Sequence, residues 1–375
     1  MKKASQDISL PRRSFLKKAG VGLAAGAGIA AGMGIAAPKV HAQPTLRWRL
    51  VSSFPKSLDT LIGPSEAFAK IVGAMSGGKF TITVHPAGEI VPAFGVLDAA
   101  QNGTVECAHT APYYFFGKDD TFALGTAIPF GLNSRQMQSW LFAGNGLTLF
   151  REFYKSYNII NFPMGNTGAQ MGGWYRKEIK SLADMKGLKM RTAGIAGKVQ
   201  ERLGAVTVST PGGEVYTALE KGTIDAAEFV GPYDDLKLGL YKVAPHYYYP
   251  GWWEGSAQTD LYVNIKAYEA LPAEYKAMIE AAATRSQVLM HAQYDARNPI
   301  ALKQLVAAGA KLHRFPKDVM NAAFKESNAL YAEISAKNPR WKKIYDDYIK
   351  FRAEQNMWFR FAEAGFDDFM QAQKL

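Results

Sequence analysis

The sequence predicts an α/β protein of two lobes followed by long C-terminal helices, and three observations carry that expectation. Segments alternating apolar and polar residues take turns with segments of helical spacing through the first two thirds of the chain. About 330 residues remain once a leader is set aside, more than a single core usually serves. Beyond Leu271 almost everything reads helical through Gln373, broken mainly at Phe315-Pro316 and Asn338-Pro339.

The leader occupies residues 1–42. Arg12-Arg13-Ser14-Phe15-Leu16-Lys17 precedes small apolar residues from Ala19 to Ala37, and Val40-His41-Ala42 forms a small-residue exit. This is an export signal of the twin-arginine type, so the mature chain is expected to begin near Gln43, in the periplasm. The glycines from Gly26 to Gly32 mimic a dinucleotide loop, but no strand precedes them and no acid follows about 20 positions on.

Leu46 to Ser53 alternates as a strand, and Ser57 to Met75 has helical spacing and stops at Gly77-Gly78. Phe80–His85 is a second strand, Val91 to Asn102 a short helix, and Val105 to His109 a third strand. This rhythm implies a largely parallel sheet for lobe 1, residues 43–165. Lobe 2, residues 166–258, is expected to hold strands at Met171–Tyr175, Leu188–Arg191, Val206–Val208 and near Ile224–Val230. Its helices fall at Gly197–Leu203 and Gly213–Lys221. A return strand begins near Asp260, and residues 259–335 then brace the lobes. Residues 336–375 form a terminal helical segment whose aromatics, Trp341 to Phe369, are buried either within one chain or against a second copy.

Composition excludes several function classes. The formal charge is +11, but the leader holds seven basic residues against one acid, and removing that +6 leaves about +5. The remaining basic residues are dispersed, so no nucleic-acid partner is expected. Cys107 is the single cysteine and reads as a buried small hydrophobe. No later apolar run reaches 18 residues, so the mature chain is expected to be soluble. A Gly-x-Ser-x-Gly elbow and a His-Glu-x-x-His motif are both missing, and no Cys/His cluster suggests zinc. The enzyme alternative is a secreted hydrolase or lyase with Glu228 and Glu254 as its acid/base pair.

Several blocks together resemble a known family. They are Gly77-Gly-Lys-Phe-Thr-Ile-Thr-Val-His-Pro-Ala-Gly-Glu89, Leu188-Lys-Met-Arg-Thr-Ala-Gly194 and Gly213 through Glu228. They resemble the extracytoplasmic solute-binding proteins of tripartite ATP-independent periplasmic (TRAP) transporters, over essentially the whole mature chain. Gly231-Pro-Tyr-Asp-Asp235 and Pro250-Gly-Trp-Trp-Glu254 further resemble the subgroup that binds 2-oxo acids with a cation. The resemblance implies a two-lobed periplasmic binding protein fold with a hinge, a small carboxylate ligand such as pyruvate, and TRAP membrane permease subunits as partners. It implies a binding protein, not an enzyme.

The chemistry of the residues runs alongside. A carboxylate leaving water needs fixed donors, and a guanidinium offers two parallel N–H groups. Arg191 ends a predicted strand, where ligands of α/β sheets collect, and the resemblance places its carboxylate-binding arginine there. The resemblance also assigns Gln170, the Phe229 carbonyl and Glu254 to a cation, Na⁺ or Ca²⁺, with Glu228 as a further ligand or orienter. Phe229 departs from the tryptophan commoner in the family. Ion pairing of Glu228 and Glu254 with nearby Lys or Arg is the other reading. Tyr114 resembles the tyrosine that faces the ligand, and Asn166 is expected to add an amide contact. The aromatics Tyr113 to Phe116, Trp174, Tyr233, Trp252 and Trp253 are either pocket walls or core. The resembling subgroup also exchanges a terminal helix between subunits of a homodimer.

Overall fold

The computed structural model describes residues 44–192 and 194–373; the proposed leader lies outside the described residues. The chain opens with β1 (Leu46–Ser52), α1 (Asp59–Met75), β2 (Phe80–His85), α2 (Val96–Gln101) and β3 (Cys107–Thr110). β1 ends in three consecutive buried residues, Leu50, Val51 and Ser52. α2 starts later than its spacing suggests, because the Pro92–Gly95 turn closes first through Gly95 N donating to Pro92 O at 2.8 Å. Two helices not foreseen, α3 (Ser134–Ala143) and α4 (Gly146–Lys155), follow. Asn133 starts α3 with a reciprocal capping box to Gln136.

β4 (Ile159–Asn166) closes this half, and β5 (Trp174–Tyr175), β6 (Lys189–Arg191), α5 (Ile195–Arg202), β7 (Val206–Val208), α6 (Val215–Glu220), β8 (Ala226–Ala227), α7 (Pro232–Leu238) and β9 (His246–Tyr249) build the second. The chain then returns through β10 (Gln258–Asn264), α8 (Ile265–Glu269) and α9 (Ala273–Ala307) to β11 (Lys311–Arg314). α10 (Lys317–Lys337), α11 (Pro339–Phe359), a π turn at Arg360–Ala364 and α12 (Gly365–Gln371) complete it.

Two sheets result, ordered β2-β1-β3-β10-β4 and β11-β9-β5-β8-β6-β7, and the two-lobed α/β expectation holds. The first sheet is mixed rather than largely parallel. β10 inserts antiparallel between β3 and β4, with Leu261 opposite His109 on one side and Phe162 on the other. Tyr247 to Tyr249 belong to a strand, and β11 pairs parallel with it inside a stretch whose local pattern reads as helix. In the second sheet β6 runs parallel to β8, with Arg191 opposite Ala227.

α9 runs 35 residues, about 50 Å at the standard rise. It packs on α1 and β4 of the first lobe and on α7 of the second. α10 continues onto α5 of the second lobe, and α11 onto α3 and α4 of the first. The tail therefore braces both lobes. Among the described residues no helix is long and apolar enough to cross a membrane.

Candidate functional site

β6 and β8 are parallel neighbours that end together, so Arg191 and Glu228 leave the second sheet at the same carboxyl edge. The backbone joins them first, Glu228 N donating to Arg191 O at 3.1 Å. The side chains then pair: Arg191 Nη1 donates to Glu228 O at 2.6 Å and to Glu228 Oε1 at 2.5 Å. Arg191 Nε donates to Thr210 O at 3.1 Å. Both side chains are almost fully removed from water, 2% and 1% exposed. A buried ion pair persists in such surroundings only when its remaining hydrogen-bonding groups are satisfied, as the backbone oxygens do here.

Arg191 faces a small cavity of about 20 Å³. Phe54, Leu61, Tyr113, Tyr114 and Thr259 of the first lobe line it on one side, and Arg191, Phe229 and Val230 on the other, with Thr167 and Gln170 from the segment joining β4 to β5. A cavity of that size holds about one water molecule, so any organic ligand enters by opening the lobes. The lobes approach closely beside it. A Cβ on Gly194, whose φ is +62°, would lie 2.7 Å from the Tyr113 ring. The Arg191 guanidinium stands 5.5 Å from the centroid of the Phe229 ring.

Among the described residues, two buried oxygens near this site have no hydrogen-bond partner. Gln170 Nε2 donates to Thr167 Oγ1 at 3.1 Å, but Gln170 Oε1 is buried and unmatched. Glu254 is buried too, and its Oε2 is also unmatched. Burial, then the charge of Glu228, pushes the Glu254 carboxyl well above the usual range, while Arg191, Tyr113 and Gln170 draw it back. Burial likewise pushes Tyr114 up to about 12, with Arg191 opposing. Among the described residues no three His, Cys, Asp or Glu side chains gather as a metal-binding group. A cation here must draw on amide and backbone oxygens as well as carboxylate, which suits a hard ion.

The structure brings Arg191, Gln170, Tyr114 and Phe229 around one cavity, with Glu228 on Arg191 and Glu254 in electrostatic contact with both. Asn166 is not among the lining residues. Its Oδ1 accepts from Gly168 N at 2.9 Å and its Nδ2 reaches Ser256 and Gln258, so its amide is engaged in shaping the turn before Gln170. Of the aromatics read as walls or core, Tyr113 and Tyr114 line the cavity, whereas Trp174, Trp252 and Trp253 are core. Phe54 and Ala111 follow the ends of β1 and β3, so the strand-end rule that picked out Arg191 also points to them. Leu61 and Thr259 carry no such local signal.

The chain matches the bacterial extracellular solute-binding protein family 7, DctP, over residues 51–338. It belongs to that family. A monocarboxylate 2-oxoacid-binding periplasmic protein of Nostoc sp. is 45% identical to it over 365 residues, covering 97% of this chain and 100% of that one. A TRAP transporter solute-binding protein of Bordetella bronchiseptica RB50, a mixed-occupancy dimer with copurified calcium and picolinate, aligns at 52% identity and a TM-score of 0.86. That match covers 88% of this chain and 98% of the other. One from Pseudoalteromonas atlantica T6c, with bound sodium and pyruvate, aligns at 38% identity and a TM-score of 0.84, covering 88% and 99%. The DctP chain described here is accordingly a periplasmic solute receptor of the TRAP type, and the hydrolase or lyase alternative falls away.

Proposed function

We propose that this receptor binds a small 2-oxo acid of the pyruvate class together with Na⁺ or Ca²⁺, closes over it, and hands it to the membrane permease. The observation that carries the reading is the juxtaposition at one cavity of a buried arginine and Gln170, whose Oε1 is unmatched, with the buried Glu254 in electrostatic contact with that arginine. Arg191 anchors the carboxylate. Its Nε and Nη1 are held by Thr210 and Glu228, so Glu228 orients the guanidinium. Gln170 Oε1, Glu254 Oε2 and the Phe229 carbonyl supply hard oxygens for the cation, which offsets acidic charge beside an anion site. The binding of pyruvate or picolinate with a cation by the Pseudoalteromonas and Bordetella relatives supports the same assignment.

The test is a thermal-shift and calorimetry screen of ligand-stripped protein against 2-oxo acids, 2-hydroxy acids, dicarboxylates and sugar acids, each with Na⁺, Ca²⁺ or chelator. Cation-dependent stabilisation by short 2-oxo acids is expected. Stabilisation by other acids regardless of cation would remove both the cation and the 2-oxo acid.

Two finer assignments accompany this one. Residues 1–42 direct twin-arginine export, and replacing Arg12 and Arg13 by lysine is expected to leave precursor in the cytoplasm on cell fractionation. The terminal helices join a second copy. Met357, Trp358, Phe361, Phe366 and Phe369 are 57–77% exposed, an apolar face unusual for a monomer. Light scattering is expected to show a dimer that becomes a monomer when residues 360–375 are deleted; an unchanged mass would count against the terminal contact.

A further inference from the structure

His109 lies in β3, fully buried, between two hydroxyl groups from different elements. Ser65 Oγ of α1 stands 2.8 Å from its Nδ1, and Thr259 Oγ1 of β10 stands 3.0 Å from its Nε2. Burial pushes the imidazole down to about 3, so the ring is neutral at ordinary pH, with one N–H and one lone pair.

The two hydroxyls decide which nitrogen carries the hydrogen. Ser65 is buried, and Nδ1 is the one acceptor its hydroxyl reaches among the described residues. A hydrogen on Nδ1 would leave the Ser65 O–H with no acceptor, at the cost of an unmade buried hydrogen bond. With the hydrogen on Nε2, Ser65 donates to Nδ1 and Nε2 donates to Thr259 Oγ1. The only hydrogen then left unassigned is that of the Thr259 hydroxyl. Thr259 lines the ligand cavity. Room for its side chain is made by Gly165 on the neighbouring strand, where a Cβ would collide with Thr259 Oγ1 and Met290 Sδ.

We infer that His109 is a positioning residue: the relay Ser65–His109–Thr259 turns the Thr259 hydroxyl hydrogen into the cavity as a donor to an oxygen of the bound acid. This rests on the reading of the cavity as a 2-oxo acid site. It gives the first lobe a directed polar contact opposite Arg191, so that closure, and not only docking on the second lobe, is selective for an oxygen acceptor.

The ring tautomer is read first, by ¹⁵N NMR of the ligand-free protein labelled at histidine; Nε2–H is expected, and Nδ1–H would overturn the relay. Calorimetry with pyruvate and calcium follows. Thr259→Val is expected to weaken binding about 10- to 100-fold, the range for a hydrogen bond to a charged group, with Thr259→Ser restoring most of it. His109→Gln is expected to weaken binding in the wild-type background and to change nothing further when combined with Thr259→Val. A purely structural histidine would lower the melting temperature equally in both backgrounds without that dependence. Absence of 2-oxo acid binding by the wild type overturns the ligand reading and the relay together. A wild type that binds, beside a Thr259→Val variant that binds equally well, overturns the relay alone.

Discussion

Two pairs of carboxylates are buried within the second lobe and its edge, Glu228 with Glu254 and Asp234 with Asp235, and their surroundings differ in kind. Asp234 Oδ1 accepts from Thr60 at 2.6 Å and its Oδ2 from Tyr294 at 2.5 Å. Asp235 Oδ2 accepts from Trp174 Nε1 at 2.9 Å and Tyr247 OH at 2.6 Å, while the Val230 backbone lies against the carboxyl. Every one of these donors is neutral and fixed by packing; Trp174 and Tyr247 stack at 3.9 Å between ring centroids. Asp235 Oδ1 and Glu254 Oε2 are alike in having no hydrogen-bond partner among the described residues, but the glutamates meet a cation of the protein, Arg191, which lines a cavity. Burial alone thus does not mark a site. Neutral donors to a buried acid tie elements together, as Thr60 of α1 and Asp234 of α7 tie the lobes. Charge left to be completed from outside is what a ligand and its ion can use.

Breaking the glutamate centre should cost most. Arg191→Met removes the carboxylate anchor and strands Glu228 in a dry site, so an affinity loss of roughly 1,000-fold or more is expected by calorimetry, with a lowered melting temperature. An affinity within about threefold of wild type, the spread of an uninvolved site, would dissolve the contrast between the pairs. Glu254→Gln keeps the shape and removes one negative oxygen. It is expected to weaken 2-oxo acid binding about 100-fold and to reduce its dependence on added cation. Asp234→Asn, the matched control, is expected to leave affinity within about threefold while lowering stability by about 1–3 kcal/mol.

Much of this arrangement is legible in the amino-acid sequence. β1, α1 and β2 announce themselves by alternation, helical spacing and the Gly77-Gly78 stop, because those signals lie within a few neighbouring residues. Arg191 is legible because a strand end is a local feature with a topological meaning. The sheet positions of β10 and β11 are not, since pairing across 150 residues of chain for β10 with β3, or 65 for β11 with β9, leaves no mark on either partner's pattern. For the same reason Leu61 and Thr259 give no sign of their place: each faces the cavity only because α1 and β10 meet there. Asn166 shows the converse, an amide with the right chemistry whose hydrogen bonds are already taken by its own turn.

The aspartate pair provides the smallest but sharpest test, through pH. Burial raises Asp235 from an ordinary 3.8 to about 7 and Asp234 to about 6. The folded state therefore holds these protons more tightly than the unfolded chain. Their stabilising contribution is complete below about pH 4 and is lost as pH rises through 6 and 7. Asp235→Asn removes one such proton from the balance, so the difference in unfolding free energy between variant and wild type should shift in the variant's favour from pH 4 to pH 8. At about 1.4 kcal/mol per unit, the shift is up to about 4 kcal/mol. Asp260, also raised to about 7, titrates in both proteins and cancels from the difference. Urea unfolding at unit intervals of pH measures it. A difference constant across pH would mean that Asp235 stays ionised in the fold, and that neutral donors can hold a bare buried charge as well as Arg191 holds Glu228.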